Sequence, residues 1–321
     1  MSFDTASLYF RAFFGVPMRR TADGTPVNAV RGLIDSLARL IDQYHPTHLA
    51  CAWDNDWRPG WRVDLVASYK AHRVATPEAP RGQSGIVGAG GVGASSGVAE
   101  VAPDDLQVQI PIIIEVLAAL GLWVVGVDGY EADDVLASLA SQSGIANLVV
   151  TGDRDLFQLA HGDTRVVYVG RGVAKHDLVD AAWVAGKYGV LPEQYVDFAT
   201  LRGDPSDGLP GVKGIGEKSA ASLVATYGDL EEILAAAGEP ASGMSGSLRS
   251  RLAVDLDYLA RAREVVRCVD DLDLGTFTSA QGSVDADACA ELAERYELGT
   301  SMGRILAALA SIDWPQTRPS T

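Results

Sequence analysis

The chain has 321 residues, 47% of them hydrophobic and 21% charged, with 26 Lys and Arg against 42 Asp and Glu and a formal charge of −16. That composition excludes a disordered or collagen-like chain and supplies apolar material for about two domains at ~150 residues each. The charge argues against a phosphate-binding partner, since nucleic acid normally meets net positive protein. The acid is uneven, however: residues 1–100 carry +1 and the remaining 221 carry −17.

Short β-branched runs at Thr47–Asp54, Leu122–Asp128, Asn147–Asp153 and Arg165–Val169 read as strands. Helical patterns at Asn28–Tyr44, Leu106–Leu120 and Ala132–Ser141 alternate with them, predicting an α/β fold with a mostly parallel, doubly wound sheet over residues 1–176. The apolar stretch Ile110–Val127 contains Pro111, Glu115 and Gly121 and changes period midway, so it reads as a helix then a strand and not as a membrane span. After about residue 176 strands are expected to stop. Helices are predicted at Val179–Tyr188, Pro192–Leu201, Glu217–Tyr227, Leu230–Ala237, Leu252–Cys268 and Ala286–Tyr296, giving a helical region over 177–321 whose last part forms a buttress. Residues 82–97 hold seven glycines and no charge, the composition of a mobile loop. A second loop is expected at Gly238–Ser247.

Cys51, Cys268 and Cys289 are too few and scattered for a disulfide framework or zinc knuckle and read as packing residues of a reduced interior. An acid, Asp4, precedes the first base, Arg11, and no apolar signal region follows, so no secretory leader is expected. The histidines, His45, His48, His72, His161 and His176, have no metal-ligand spacing.

Nine acids at five places carry the chemistry. Asp4 and Asp54 fall at the ends of the first two predicted strands, and Asp153 and Asp155 at the end of a later one, spaced to point the same way if extended. Glu131, Asp133 and Asp134 open a helix, and Asp204 and Asp207 open a helical hairpin. One acid at a helix start is an ordinary cap. Nine at one sheet edge repel unless protonated or neutralised, and all-oxygen donors select hard ions, Mg²⁺ or Mn²⁺. Two or more such ions around a phosphate perform phosphoryl transfer to water.

Leu201–Ala221 contains two glycine-flanked turns. A nucleotide-binding P-loop fails there, because Glu217 stands where lysine must follow Gly216. What remains is a helix, a glycine hairpin (Gly211, Gly214, Gly216) and a second helix, where backbone N–H groups with Lys213 and Lys218 could hold a DNA phosphate without reading sequence.

Together these segments resemble the 5′ nuclease family, the flap endonucleases and the 5′ nuclease domain of bacterial DNA polymerase I. The matching stretches are Asp4 with Ser7–Phe13, Ala52–Asp54, Ser68–Arg73, Gly129–Asp134, Thr151–Asp155 with Gln158 and Leu159, and Leu201–Ser219, in the family's order. The resemblance implies a PIN-like core with a helix-hairpin-helix (H3TH) element at about 192–227, and hydrolysis of DNA at 5′ ends, flaps, nicks or gaps in replication or repair. It makes Asp54, Glu131 and Asp133 ligands of a first metal, with Asp4 reaching it through water, and Asp153, Asp155 and Asp207 ligands of a second. Asp133 lies near both metals, and Asp134 and Asp204 support the set. Lys70 and Arg73 become cations on the scissile phosphate, Arg11 a phosphate contact, and the glycine hairpin a place for a monovalent cation. A bacterial cytoplasmic enzyme acting on nucleoid DNA, without a polymerase or a membrane anchor, is expected.

The sequence departs from the family in two ways besides the missing polymerase. Only three residues precede Asp4, so either the first strand, expected at an edge, is shortened or the start site is misassigned; and the glycine-rich stretch 82–97 stands where relatives close a helical arch, so threading of a 5′ strand is expected to be weakly enforced. Two other classes remain open: a catalytically silent, structure-specific DNA-binding protein that kept the hairpin, and a PIN-like ribonuclease, which would not need it. As for charge, leaving out the nine acids brings −16 to −7, and Arg11, Arg58, Arg62, Lys70, Arg73, Lys213 and Lys218 are the bases expected to meet phosphate.

Overall fold

The computed structural model describes residues 1–74, 83–86, 100–254, 256–275 and 283–314. The N-terminal part runs β1 (Ser2–Asp4), α1 (Thr5–Gly15), α2 (Asn28–Tyr44), β2 (Ala50–Ala52), α3 (Gly60–Leu65), β3 (Gln83–Ile86), β4 (Glu100–Pro103), α4 (Asp104–Gln107), α5 (Gln109–Ala119), β5 (Val124–Val125), α6 (Ala132–Gln142), β6 (Asn147–Thr151), β7 (Thr164–Tyr168) and β8 (Asp177–Val179). Helices follow: α7 (Ala181–Tyr188), α8 (Tyr195–Arg202), α9 (Glu217–Tyr227), α10 (Leu230–Gly238), α11 (Gly246–Leu252), α12 (Leu256–Val266), α13 (Ala286–Arg295) and α14 (Gly299–Ala310).

Six strands form one sheet in the order β5-β2-β1-β6-β7-β8. All neighbours pair in parallel except β7 with β8, which is antiparallel. Strands buried on both faces read as continuous apolar runs, and successive residues divide between two cores. Val149 and Val166 face one core with Leu136 and Phe157; Val150 and Val167 face the other with Leu37, Ile113 and Val116. The heptad-like run Val30, Leu33, Ile34, Leu37 and Ile41 buries one stripe of α2 in that second core.

β1 is central and not at an edge: its three residues pair with Ala50–Ala52 on one side, and Ser2 and Phe3 pair with Val149 and Val150 on the other. Strand order reverses between β1 and β6, so the crevice beyond their carboxyl ends is the topological switch point where parallel sheets bind ligands. Strands do not stop at 176, since β8 caps the sheet edge. The expected loop at 238–247 is shortened by α11, and α14 was not anticipated. The last two helices leave the helical region and return to the α/β body, where Leu292, Met302, Ile305 and Leu309 complete the α2–α5 core. Of the glycine-rich stretch 82–97, residues 83–86 form a strand antiparallel to β4 and the rest lie outside the described residues. Among the described residues no helix is long and apolar enough to cross a membrane.

Candidate active site

A cavity of about 940 Å³ opens at the switch point, lined by Asp4, Asp54, Glu131, Asp133 and Asp153 together with Lys70 and Arg73. Each acid arrives for a local reason. Asp4 ends β1 and caps α1, accepting the Ser7 N–H at 2.9 Å through one oxygen and the Thr151 hydroxyl at 2.7 Å through the other. Asp54, two residues past β2, accepts the Ala132 N–H at 2.8 Å at the start of α6. Glu131 is the residue before α6, and Asp133 stands in its first turn. Asp153 follows β6; here the expected extended segment is instead a turn, in which Asp153 accepts the Asp155 N–H at 2.9 Å and Asp155 begins a short 3-10 helix.

Burial and proximity set the electrostatics. Asp4 is pushed up to about 7 by burial and by the Asp54 carboxylate. Burial, then Asp153 and Asp4, raise Asp133 well above the carboxylate range; burial, then Asp153, Asp207 and Asp204, do the same to Asp155. Asp207 rises to about 6, mainly by burial. Glu131 goes the other way: despite its burial, Lys70 and Arg62 hold it below its usual value. One oxygen of Glu131 pairs with the Lys70 ammonium; the other accepts from Arg62 at 2.7 Å and from the Tyr69 hydroxyl at 2.6 Å. Arg73 lies between Asp207 at 3.7 Å and Glu100 at 3.8 Å.

As the side chains stand, no three His, Cys, Asp or Glu residues among those described converge as a closed metal cage. The donor set nevertheless fits hard cations. Every donor is oxygen, the acids repel one another, and one oxygen of Asp155 is buried without a hydrogen-bond partner. The raised carboxylates give a testable sign. Their native pKa values exceed the ordinary ones, so the folded state binds more protons between about pH 4 and pH 7 and stability falls as pH rises through that window. Without divalent ions the protein is expected to melt several degrees lower at about pH 8 than at about pH 5.5, and Mg²⁺ to restore the loss at pH 8 only. Melting curves with EDTA or Mg²⁺ check this; a higher metal-free melting point at pH 8 would contradict it.

The second group of acids lies where α8 meets the glycine hairpin. Asp204 caps the short turn Pro205–Asp207, accepting the Ser206 N–H at 2.8 Å, and stands 3.5 Å from Arg202. The hairpin docks on the segment carrying Lys70: the Lys70 N–H donates to the Asp207 carbonyl at 2.9 Å, and the Ser68 hydroxyl donates to the Gly208 carbonyl at 2.7 Å. These bonds hold Lys70 in the left-handed region (φ 46°), uncommon for a side-chain-bearing residue. Gly208 (φ 72°) has no room for a side chain, because a Cβ there would sit 2.1 Å from the Ser68 carbonyl oxygen. Gly208→Ala should therefore cost about 3 kcal/mol of stability and reduce activity by displacing Lys70, measurable by denaturant melts and turnover; a neutral result would contradict the coupling.

Several expected site residues have other partners. Asp134 is fully buried and does not join the cluster: both its oxygens bind Arg62 at 2.7 Å, and it also accepts the Val269 N–H at 2.9 Å. Arg62 is itself buried and meets no phosphate. Arg11, at the cavity wall, donates to the carbonyls of Gly152 and Gly170 at 3.1 Å each, and Arg58 to that of Tyr69 at 2.6 Å, so both brace loops. In the hairpin, Val212 and Ile215 are buried anchors while Lys213, Gly214, Gly216 and Lys218 are exposed. The Gly211 N–H is not available to phosphate, since it donates to the Tyr258 hydroxyl at 3.1 Å; in the hairpin expected to take a monovalent cation, the Gly214 carbonyl accepts from Arg251 at 3.1 Å. Sequence reasoning missed Glu100, which lines the cavity from β4 and follows a stretch with no motif. It also missed Gln158 as a brace: its amide donates to the Asp155 carbonyl at 2.8 Å and accepts the Cys268 N–H at 3.0 Å.

This fold has counterparts among known proteins. Residues 1–189 match the family described as 5′-3′ exonuclease, N-terminal resolvase-like domain, and residues 190–285 match 5′-3′ exonuclease, C-terminal SAM fold. The chain belongs to the 5′-3′ exonuclease family. It is 49% identical to a 5′-3′ exonuclease of Streptomyces coelicolor over 97% of this chain and 100% of that protein, and 45% identical to one of Mycobacterium tuberculosis over 96% and 97%. It is also 38% identical to M. tuberculosis DNA polymerase I, over 85% of this chain and 27% of the polymerase. Among solved structures, the bacteriophage T5 5′-exonuclease with bound divalent metal ions shares the fold at a TM-score of 0.63 and 16% identity, covering 96% of this chain and 98% of that one. The T5 flap endonuclease complex with DNA and metal ions gives 0.62 and 16%, covering 97% and 98%.

Proposed function

We propose that this protein is a divalent-metal-dependent DNA hydrolase, a 5′-to-3′ exonuclease and 5′-flap endonuclease that removes primers or flaps during replication or repair. The observation that supports it most is the convergence of acids from separate strand ends on one cavity that Lys70 and Arg73 also line. Asp54, Glu131 and Asp133, with Asp4 behind them, would hold one ion; Asp153, Asp155 and Asp207 a second, with Asp133 serving both. Asp204 steadies the turn carrying Asp207, and Asp134 supports the site from behind, pairing with Arg62 and accepting the Glu131 N–H at 3.2 Å. Two bound Mg²⁺ or Mn²⁺ ions supply Lewis-acid stabilisation of the phosphate and a water nucleophile at neutral pH.

The chain's own groups do the rest. Lys70, raised well above its usual value by Glu131, stays protonated and offers fixed positive charge to the phosphate. Arg73, between two acids, can exchange one of them for a phosphate oxygen. Lys213 and Lys218 hold the duplex at a distance from the cleavage point, while Glu217, exposed between them in the first turn of α9, limits how tightly they do so. A silent DNA-binding protein would gain nothing from buried, mutually repelling carboxylates. Cleavage mapping on 5′-flap, nicked, gapped and blunt DNA, with RNA flaps alongside, tests the reading. Products released from the 5′ side with Mg²⁺ or Mn²⁺ and none with EDTA are expected; binding without cleavage, or preference for RNA, would overturn it.

A further inference from the structure

Behind Glu131 lies a buried polar cluster centred on Arg62, a residue to which the chemistry above gives no part. Arg62, from α3, is 2% exposed. Its guanidinium donates to one oxygen of Glu131, to both oxygens of Asp134 and, at 3.1 Å, to the carbonyl of Val265 at the end of α12. The segment after α12 then runs beneath both groups of acids. Val266 and Cys268 bind Gln158, which also holds the Asp155 carbonyl, and Val269 donates to Asp134. One strap, 265–269, thus links the Glu131 side of the site to the Asp155 side.

We propose that Arg62 is a positioning residue for Glu131, selecting which carboxylate oxygen faces the cavity and thereby fixing the affinity of the divalent-ion site; this rests on the metal-centre reading given above. Arg62 and Tyr69 together occupy one oxygen of Glu131. The other pairs with Lys70, which lines the cavity with Glu131 while Arg62 and Tyr69 do not. A planar fork is required, because a single guanidinium serves two carboxylates and a carbonyl at once, and the point charge of a lysine cannot. A carboxylate free to rotate would present either oxygen and bind a hard cation less well, as when supporting partners of metal ligands are lost.

The test is a thermal-shift titration of the full chain with Mg²⁺, paired with turnover on a flap substrate. Arg62→Lys should raise the half-saturating Mg²⁺ concentration by about tenfold or more and lower kcat, leaving KM for DNA unchanged. Tyr69→Phe, which leaves no buried charge unpaired, should shift the Mg²⁺ midpoint the same way by a few-fold, and decides the matter if Arg62→Lys does not fold. A lower melting temperature with an unshifted Mg²⁺ midpoint in the folded variants would show a merely structural ion pair and overturn the proposal. Absence of any Mg²⁺-dependent stabilisation in the unsubstituted protein would instead overturn the metal-centre reading itself.

Discussion

Replacing Asp133 with asparagine should abolish flap cleavage, by ~10³-fold or more, while raising the melting temperature of the metal-free protein near neutral pH. The two effects have one cause. Asp133 is buried and faces Asp153 and Asp4, so its ionised form is held against like charge; its pKa is raised first by burial and then by those neighbours. An amide of the same shape removes a repelling charge, which stabilises the unliganded fold. It also removes a charged oxygen donor placed near both proposed ions, and ~10³-fold in rate corresponds to about 4 kcal/mol of lost transition-state stabilisation. Melting curves and single-turnover cleavage on the same preparation read both. A variant that lost activity because it unfolded, or one that kept cleaving, would contradict the assignment.

Lys70→Met should lower kcat by ~10²- to 10³-fold with little change in KM, the signature of an interaction made in the transition state. Lys70 is fixed from two directions: its N–H donates to the Asp207 carbonyl, and its ammonium pairs with Glu131. Because Glu131 keeps that ammonium protonated well above its usual range, the wild-type pH–rate profile should show no fall from Lys70 near neutrality. Steady-state kinetics across pH check both points. A rise in KM at constant kcat would make Lys70 a ground-state DNA contact instead.

Elements with a strong period were legible in the sequence, and α2 is found at its expected bounds. Strands were overextended: β2 and β5 keep three and two residues of longer β-branched runs, because pairing ends where the acids leave the sheet. β8 was missed because its three residues, Asp177–Val179, show no period, and an antiparallel edge strand needs none. α14 was missed because its first turn, Gly299–Met302, reads as loop; its apolar side, Met302, Ile305 and Leu309, acquires meaning only against α2.

The same contrast holds for the site. Strand-end placement located Asp4, Asp54 and Asp153, and the GYEADD run located Glu131 and Asp133, because carboxylates at a switch point follow from topology alone. Spacing alone does not separate Asp133 from Asp134, adjacent residues of one helical turn; only the family resemblance set Asp133 among the ligands and Asp134 in support. Burial against Arg62, which comes from α3, sends one to the core and leaves the other in the cavity. The same applies to bases: Arg62 is buried against acids and carbonyls of the fold, and Arg58 and Arg11 spend donors on loop carbonyls, although Arg11 keeps its Nε without a partner at the cavity wall. Part of the acidity after residue 100 is structural, with Asp180, Asp229 and Asp285 each accepting a backbone N–H at a helix start. A charge of −16 therefore adds helix caps to the acids of the crevice and says little about the exposed local bases of the hairpin, Lys213 and Lys218.

If the crevice acids are a divalent-ion centre, an anomalous-scattering map from a crystal soaked in Mn²⁺ shows the ions themselves. Two peaks are expected in the crevice, one against Asp54 and Glu131, one against Asp153 and Asp155, both within reach of Asp133. A map with Mn²⁺ elsewhere on this acidic surface but none in the crevice would contradict it.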